Sequence, residues 1–387
     1  MTDAPLLMLD GAVPAQGVDD GVAGHYGNPI VEQRRLERGE AIVDLSNRGV
    51  VTVTGDDRLT WLHSMASQAL DRLTPGASAE ALFLDASGRI EHVAHVVDDG
   101  ETSWLIVEGS DAAPLVNFLE RMRFMLRVEV ADRSADVAVI AAMSTAALDA
   151  AASASSPNGV ALDWTDPWST PAPDAHRYAA EAGHPASAWH WIERIVPRAA
   201  LADTADAVRA GRVAVAGSLA AEALRIAAWR PRLATEVDER SIPHELDWLR
   251  SAVDLGKGCY KGQETVAKVL NLGRPPRRLV LLHLDGSDTV LPEPGDAVIG
   301  EKVRPEPTPG DAPERRAVGH VTSSAMHHEL GPVALAVIKR QVPAALELIV
   351  ESHGIDVAAA QVEIVPADAG AAVEVPRLPR LGVRRQP

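Results

Sequence analysis

The stretch KGCYKGQE, residues 257 to 264, concentrates the reactive side chains of this chain. It contains the single cysteine, Cys259, and Lys257 and Lys261 are two of only five lysines in 387 residues. The thiolate is the reactive form of cysteine, and a neighbouring cation lowers its pKa. Because Lys257 and Cys259 are two residues apart, an extended backbone would place both side chains on the same side. The spacing predicts a functional thiol, and a buried structural cysteine is the alternative.

The residues around the thiol favour binding of an anion or close approach of a ligand. Gly258 and Gly262 permit turns that a residue with a Cβ would block. Residues 262–271 are predicted as a helix, whose first amide groups and positive dipole would stabilise a thiolate or bind a carboxylate. By contrast, His92 and His95 would point to opposite faces of a predicted strand, which argues against a shared metal. We therefore expect no permanently bound metal.

Composition excludes several classes of protein. The chain is 46% hydrophobic and 24% charged, which is typical of a globular protein. Its net charge of -17 would repel a phosphate backbone, which disfavours direct nucleic-acid binding. One cysteine excludes an internal disulfide and a self-contained iron–sulfur cluster. Because the sequence shows neither a basic leader nor an apolar run of about 18 residues, we expect a cytoplasmic protein without membrane contact.

The order of predicted elements indicates an α+β protein of several parts. Residues 1–145 alternate short strands and helices and are expected to form an N-terminal α+β domain. Residues 146–273 are expected to form a second α+β domain that carries KGCYKGQE. Strands at about ten-residue spacing in 277–365 predict a small β-barrel. Residues 366–387, rich in proline and arginine, are predicted as a loose tail.

The predicted helix 218–229 places polar side chains on one face. Glu222 and Arg225 are three residues apart, and Trp229 follows four residues after Arg225. Residues at these spacings are neighbours on a helix surface. The pattern is compatible with an ion pair on a solvated face and also with a ligand-binding role.

These motifs together resemble a known family. KGCYKGQE closely matches the signature of the YgfZ-type folate-binding proteins, which are related to the T-protein (aminomethyltransferase) of the glycine cleavage system. The resemblance covers most of the chain except its alanine-rich middle. Further similar segments are VTVTGDDRLTWLHSMASQALDRLTPG, LFLDASGRI, EALRIAAWRPRLATEVDERSIPHELD and GHVTSS.

The resemblance implies a T-protein-like fold, in which two α+β regions surround a central folate cavity and a C-terminal β-barrel closes it. It implies tetrahydrofolate or a derivative as the ligand. It also implies a role in making or maintaining iron–sulfur enzymes, including radical tRNA-modifying ones, so client or assembly proteins are the expected partners. Lys257 and Cys259 match the family's functional pair. The other signature residues are Gly258, Tyr260, Lys261, Gly262, Gln263 and Glu264.

Two departures from T-proteins bear on the expected chemistry. T-proteins carry a catalytic aspartate after the hairpin glycines, where this chain has Glu91 and His92. This departure argues against aminomethyl transfer. T-proteins also carry a pterin-binding glutamate where this chain has Ala227. Another carboxylate would then have to bind the pterin, and Glu222 and Glu236 are the candidates.

The segment that matches the family also supplies cations for folate's anionic tail. Arg225 and Arg232, together with Lys257, predict a cavity that is locally positive. The expected folate-binding residues are Arg225, Arg232, Glu222, Glu236 and Trp229.

The sequence favours a folate-binding accessory protein for iron–sulfur cluster assembly or repair that acts through Cys259, a thiol expected at the mouth of the cavity. The alternative is a tetrahydrofolate-dependent one-carbon (aminomethyl) transferase, so whether the protein is an enzyme stays open. A non-catalytic binding scaffold is the third possibility.

Overall fold

A computed structural model describes residues 4–287, 289–302 and 314–371. Among these residues, no helix is both long and apolar enough to cross a membrane. The helices are α1 (Pro29–Glu37), α2 (Arg58–Met65), α3 (Ala112–Met122), α4 (Thr145–Ala151), α5 (Leu201–Arg209), α6 (Ser218–Ala227), α7 (Leu233–Glu236) and α8 (Gln263–Asn271). The strands that precede α6 are β1 (Val13–Pro14), β2 (Ala23–His25), β3 (Ala41–Asp44), β4 (Gly49–Thr54), β5 (Ser78–Leu84), β6 (Ile90–Asp98), β7 (Thr102–Val107), β8 (Glu129–Asp132), β9 (Val137–Ala142), β10 (Asp163–Thr165), β11 (Ile192–Pro197) and β12 (Ala214–Ala216). The strands that follow α8 are β13 (Arg277–Leu284), β14 (Ala297–Lys302), β15 (Glu314–His327), β16 (Gly331–Lys339), β17 (Leu348–Ser352) and β18 (Ile355–Glu363).

The first sheet is antiparallel and has the strand order β5–β6–β7–β4–β8. Its strand β4 has the sequence GVVTVT, and such β-branched residues suit a pleated, half-buried strand. Helices α2 and α3 cover one face, where Leu62 and Leu119 are buried with Phe83. The opposite face contributes Leu82 and Ile106 to a core shared with the second sheet.

The second sheet joins distant parts of the chain in the order β10–β11–β9–β3–β12. Strands β3 and β9 come from the range 1–145, whereas the other three come from 146–273. The domain boundary predicted at residue 145 therefore does not separate two sheets. Every residue of β3 and β9 is buried, so both strands are central and their sequences carry no alternation that would assign them to a sheet.

The later strands close into a barrel with the order β13–β16–β15–β14–β17–β18. Val280, Val298 and Val350 belong to its buried core. The barrel runs from Arg277 to Glu363, in agreement with the strand-rich range 277–365 of the sequence. The predicted tail, 366–387, lies outside the described residues from 372 onward.

Two glycines bring the KGCYKGQE loop against the β5–β6 hairpin. Gly262 has φ +86°, and a Cβ on it would lie 2.7 Å from the carbonyl oxygen of Asp85 and 3.0 Å from the Cα of Gly88. Gly88 has φ +77°, and a Cβ on it would lie 2.9 Å from the Cβ of Thr265. Both positions need glycine for backbone conformation and for close approach. This contact positions the signature loop and the start of α8 on the first sheet.

We predict that Gly262→Ala lowers the free energy of unfolding by about 2–4 kcal/mol, because it adds left-handed strain and a clash with backbone atoms. Gly258→Ala is the matched control, since a Cβ there meets nothing within 4 Å. We expect that control to change stability by less than about 1 kcal/mol. Urea unfolding of the two variants measures the difference, and equal stabilities would contradict the proposed contact.

Candidate functional site

Lys257 is held by backbone carbonyls at the C-terminal end of α2. Its Nζ donates hydrogen bonds to the carbonyl oxygens of His63, of Ala66 at 2.6 Å and of Gln68 at 3.0 Å. The Nζ also lies 5.1 Å from the centroid of the Tyr260 ring. An ammonium group has three N–H donors, so these carbonyls occupy all of them. Lys257 thereby anchors the start of the signature loop to α2.

Burial changes the ionisation of Lys257. Desolvation lowers the pKa of its ammonium from the ordinary 10.5 to about 8, although the charges of Asp254 and Asp71 oppose this shift. Because its N–H groups are directed at carbonyls, this lysine would act on the thiol of Cys259 through space and not through a hydrogen bond. The functional pairing of Lys257 with Cys259 stays a prediction.

Cys259 is exposed on the signature loop while its neighbours are held in place. Tyr260 is buried directly after it. Lys261 pairs with Glu91 at 3.1 Å, and the Nε2 of Gln263 donates to the carbonyl oxygen of Lys257 at 3.4 Å. Exposure of the thiol removes the alternative of a buried structural cysteine. Glu264 and Gly258 on the same loop are also exposed. The reactivity of the Cys259 thiol stays a prediction.

A cavity of about 80 Å³ lies between the two sheets and α6. The first sheet contributes Val93 and His95, and α6 contributes Ala221. Trp189 and Trp191 form an aromatic wall, with ring centroids 5.0 Å apart and planes inclined by 14°. An engineered cavity of about 150 Å³ accommodates benzene, so this one would have to widen to take a bicyclic ring.

Buried ion pairs dominate the polar lining of the cavity. Arg232 contacts Glu108 at 2.7 Å and Asp19 at 2.8 Å, and Arg48 pairs with the same Glu108. Burial alone would raise the pKa of Glu108, but Arg48 and Arg232 together lower it to about 2. The lining arginines are Arg48, Arg225, Arg230 and Arg232, and the lining carboxylates are Asp19, Glu108, Asp166, Glu193 and Glu222.

This lining corrects the expectation of a locally positive cavity. The described lining carries four arginines and five carboxylates, so its formal charge, with histidine neutral, is 4 − 5 = −1. Each arginine needs a carboxylate partner because an unpaired buried charge is costly. The cations that the sequence assigned to the folate tail therefore already have partners within the protein.

The structure gathers three of the five predicted folate-binding residues. Arg225, Arg232 and Glu222 line the cavity, and Glu222 binds Arg225 through both carboxylate oxygens. The sequence was compatible with an ion pair of Glu222 and Arg225 on a solvated face of α6. In the structure this pair is partly buried and lies at the cavity.

Glu236 and Trp229 do not belong to the lining within the described residues. Glu236 is buried, and its carboxylate accepts hydrogen bonds from Arg225 at 2.8 Å, from Thr322 at 3.0 Å and from Ser323 at 2.7 Å. It therefore joins the α6–α7 region to β15 of the barrel and does not substitute for a missing pterin ligand. Trp229 has φ +60° and packs edge-on against His184, with ring centroids 4.9 Å apart.

The two histidines of β6 face opposite sides, as their spacing predicts. His92 packs near Phe83 on the α3 side and its Nδ1 lies 2.7 Å from Asp111. His95 lines the cavity, with its Nδ1 2.8 Å from the Oε2 of Glu193.

Sequence reasoning missed His95 and Glu193 as cavity residues. Each is a polar residue in a strand that is buried on both faces, so alternation along the strand does not single it out. His95 and Glu193 come from different sheets, and no local pattern links them.

Comparisons with known proteins place the chain among relatives of the T-protein. No family model matches it. A chloroplastic protein of Arabidopsis thaliana, which has a provisional name as a transferase, is 25% identical over 74% of this chain and 65% of its own length. An iron–sulfur cluster assembly factor IBA57 homologue of Mycosarcoma maydis, mitochondrial by its name, is 24% identical over 62% of this chain and 56% of its own length. The match spans slightly less than two thirds of the first relative and slightly more than half of the second.

A shorter match and a solved structure complete the comparison. An aminomethyltransferase of Pseudomonas syringae is 31% identical over 24% of this chain and 26% of its own length. The crystal structure of the glycine cleavage system aminomethyltransferase T from Bartonella henselae superposes with a TM-score of 0.67 at 18% identity, covering 92% of this chain and 94% of that one. The predicted T-protein-like α+β fold with a C-terminal barrel is confirmed.

We predict that Lys257→Met destabilises the protein, because the carbonyls of His63, Ala66 and Gln68 lose a buried donor. The pKa of Lys257 is about 8 in the folded chain and near 10.5 in the unfolded chain. Between these values the unfolded chain binds more protons, so wild-type stability rises with pH relative to the variant. Urea unfolding at about pH 7 and about pH 10 measures this, and a pH-independent difference would refute the buried ammonium.

Proposed function

We propose that this chain, a YgfZ-type relative of the aminomethyltransferase T-protein family, is a folate-binding accessory protein in iron–sulfur cluster assembly or repair. The observation that carries the proposal is a tryptophan-walled cavity in a T-protein-like fold that also presents an exposed thiol on an anchored loop. The fungal relative, named as an iron–sulfur cluster assembly factor, supports the same role. Iron–sulfur enzymes, including radical tRNA-modifying ones, are the expected class of client, and a cytoplasmic location stays a prediction.

Tetrahydrofolate or a derivative would occupy the space beside the stacked Trp189 and Trp191. Its ring would lie against an apolar wall, which suits a flat heterocycle. The small volume of the cavity means that its walls must separate when the ligand enters. Part of the binding energy would therefore be spent on opening the site.

Cys259 would supply a reactive thiol, a group that the lining of the cavity does not contain within the described residues. An exposed thiol on a fixed loop is accessible to a disulfide, an iron atom or a sulfur atom of a client protein. It would act transiently, because the chain has no second thiol with which to hold a cluster.

A folate-dependent one-carbon transferase is the second candidate, and one observation favours it. His95 places an imidazole in the cavity, and Glu193 orients its ring through a contact of 2.8 Å with Nδ1. A histidine held by a carboxylate is a common arrangement for moving protons in enzymes. Assays of one-carbon transfer from a tetrahydrofolate derivative would separate the two functions, since the accessory protein is expected to bind folate without turnover.

We predict that tetrahydrofolate binds wild-type protein and that Ala221→Met abolishes this binding, because the longer side chain fills the cavity without breaking an ion pair. Leu219→Met on the same helix is the control, since Leu219 is 51% exposed and does not contribute to the described lining. Titration calorimetry measures both variants. Absence of binding at millimolar tetrahydrofolate would eliminate both folate-dependent functions and leave the scaffold.

We predict that Cys259→Ser keeps the fold and the folate affinity but abolishes support of iron–sulfur enzymes. The fold should survive because the side chain is exposed and has no packing to lose. Complementation of a host strain that lacks this gene, with the activity of an iron–sulfur enzyme as readout, tests the loss. Full activity of the variant would show that the thiol has no role.

A further inference from the structure

The end of α3 and the segment after it expose large apolar side chains. Phe124 is 84% exposed and Met125 is 98% exposed, and Met122 and Leu126 beside them are also exposed. We call residues 122–126 the tip. A contiguous group of exposed apolar side chains marks a surface that another molecule covers. The tip is therefore a contact site that lies apart from the central cavity.

The backbone of the tip is fixed at both ends. Phe124 has φ +47°, a left-handed conformation that a bulky residue rarely adopts. The amide of Leu126 donates to the carbonyl oxygen of Arg123 at 3.1 Å. The amide of Arg127 donates to the carboxylate of Asp57 at 2.9 Å. Backbone strain persists only where the surrounding structure enforces it, and it clusters at binding sites.

An open depression adjoins the tip on the surface of α3. We call it the depression, and it is lined by His92, Pro114, Asn117, Glu120 and Arg121. The tip begins directly after Arg121, so the recess and the projecting side chains are neighbours. The lining includes the rings of His92 and Pro114, against which an aromatic or thioether side chain can pack.

This adjacency suits a second copy of the same chain. In a twofold dimer the same surface patch of both copies forms the interface, so every contact between two different residues is made twice. The tip of one copy would enter the depression of the other, and the second copy would do the same in return. A projecting feature and a recess on one patch meet this condition.

The charges near the tip also favour a second copy. The chain as a whole carries −17, which makes two copies repel each other. The charged residues within three positions of the tip, or paired with such a residue, amount to 3 − 4 = −1. They are Arg121, Arg123, Arg127, Asp56, Asp57, Glu120 and Glu129. A patch of mixed sign can face its own copy, whereas an anionic lipid surface would require a positive one.

Two of these charges are available for pairing between copies. The Nε of Arg121 donates to the carbonyl oxygen of Asn117 at 3.2 Å. Among the described residues, neither Arg121 nor Glu129 forms an ion pair. Each copy therefore offers the other one cation and one anion at the edge of the apolar tip.

We propose that this patch is the interface of a twofold dimer, in which the tip of each copy enters the depression of the other. The inference goes beyond the proposed function and does not depend on folate binding. The depression borders the signature loop, because the Phe118 ring lies 5.4 Å from the His92 ring and 5.5 Å from the Nζ of Lys261. The dimer would therefore bring a second copy close to the loop that carries Cys259.

Sedimentation velocity over about 1–100 μM protein tests the dimer, which we expect for the wild type at the upper end of this range. The double variant Phe124→Ser, Met125→Ser should raise the dissociation constant at least about a hundredfold, because both copies lose apolar side chains from the interface. These side chains are exposed in the single chain, so the fold should survive, and urea unfolding checks this. Met8→Ser is the control, since Met8 is 77% exposed outside the patch, and it should leave the constant unchanged. A dimer that persists in the double variant would overturn the proposal.

A mixing experiment tests the reciprocal contact. Asn117→Trp fills the depression and leaves the tip intact, whereas the double variant lacks the tip and keeps the depression. Neither should dimerise alone, but their mixture should, because the intact tip of one enters the open depression of the other. The mixture keeps one of the two contacts, so its dissociation constant should lie between those of the wild type and of the separate variants. A mixture that associates no better than its components would overturn the reciprocal pairing.

Two further results would assign the tip to a different occupant. A wild-type protein that stays monomeric at about 100 μM would refute the dimer, since a twofold interface built on these side chains should form at that concentration. Monomeric protein that cosediments with vesicles of phosphatidylcholine and phosphatidylglycerol, and loses this binding in the double variant, would identify a lipid surface instead.

Discussion

The fold is organised by the requirement that buried arginines be paired. Arg225, Arg230 and Arg232 lie within eight residues of sequence and are almost fully buried. Their carboxylate partners come from separate parts of the chain, because no single element could neutralise three adjacent cations. These partners are Glu80 on β5, Glu108 after β7, Asp19, Asp166, Glu222 on α6 and Glu236 on α7. One short segment thereby fixes the position of the first sheet, of α6 and, through Glu236 and β15, of the barrel.

The same pairing shapes the cavity. Carboxylates that neutralise arginines are fixed in place, because desolvated pairs of this kind are lost only at high cost. The other groups that face the cavity include the aromatic wall and His95, whose Nδ1 is held by Glu193. The charges of the lining are therefore committed to holding the fold together, which could not be inferred from the residue types that line it.

Much of the architecture follows from local sequence, and much of the site does not. The β-branched composition of β4, the ten-residue spacing of the barrel strands and the polar face of α6 are all local features of the sequence. The partners of Arg232 were not, since Glu108 and Asp19 are 124 and 213 residues away in sequence. Lys257 was predicted from its neighbours in sequence, but its contacts lie with α2. The order of strands in the second sheet depends on tertiary pairing of fully buried strands, for which the sequence has no distinguishing pattern.

The interleaving of the second sheet has a consequence during synthesis of the chain. β3 pairs in parallel with β12, and the aligned residues Ala41 and Ala214 are 214 − 41 = 173 positions apart. At about 5–20 residues per second, the ribosome delivers that partner about 9–35 s after β3 emerges. In the first sheet the most distant aligned residues, Val51 and Asp132, are 132 − 51 = 81 positions apart, so the corresponding delay is about half as long. The nascent chain therefore carries an apolar strand with an open edge for many seconds, and such an edge is a site at which unfinished chains aggregate.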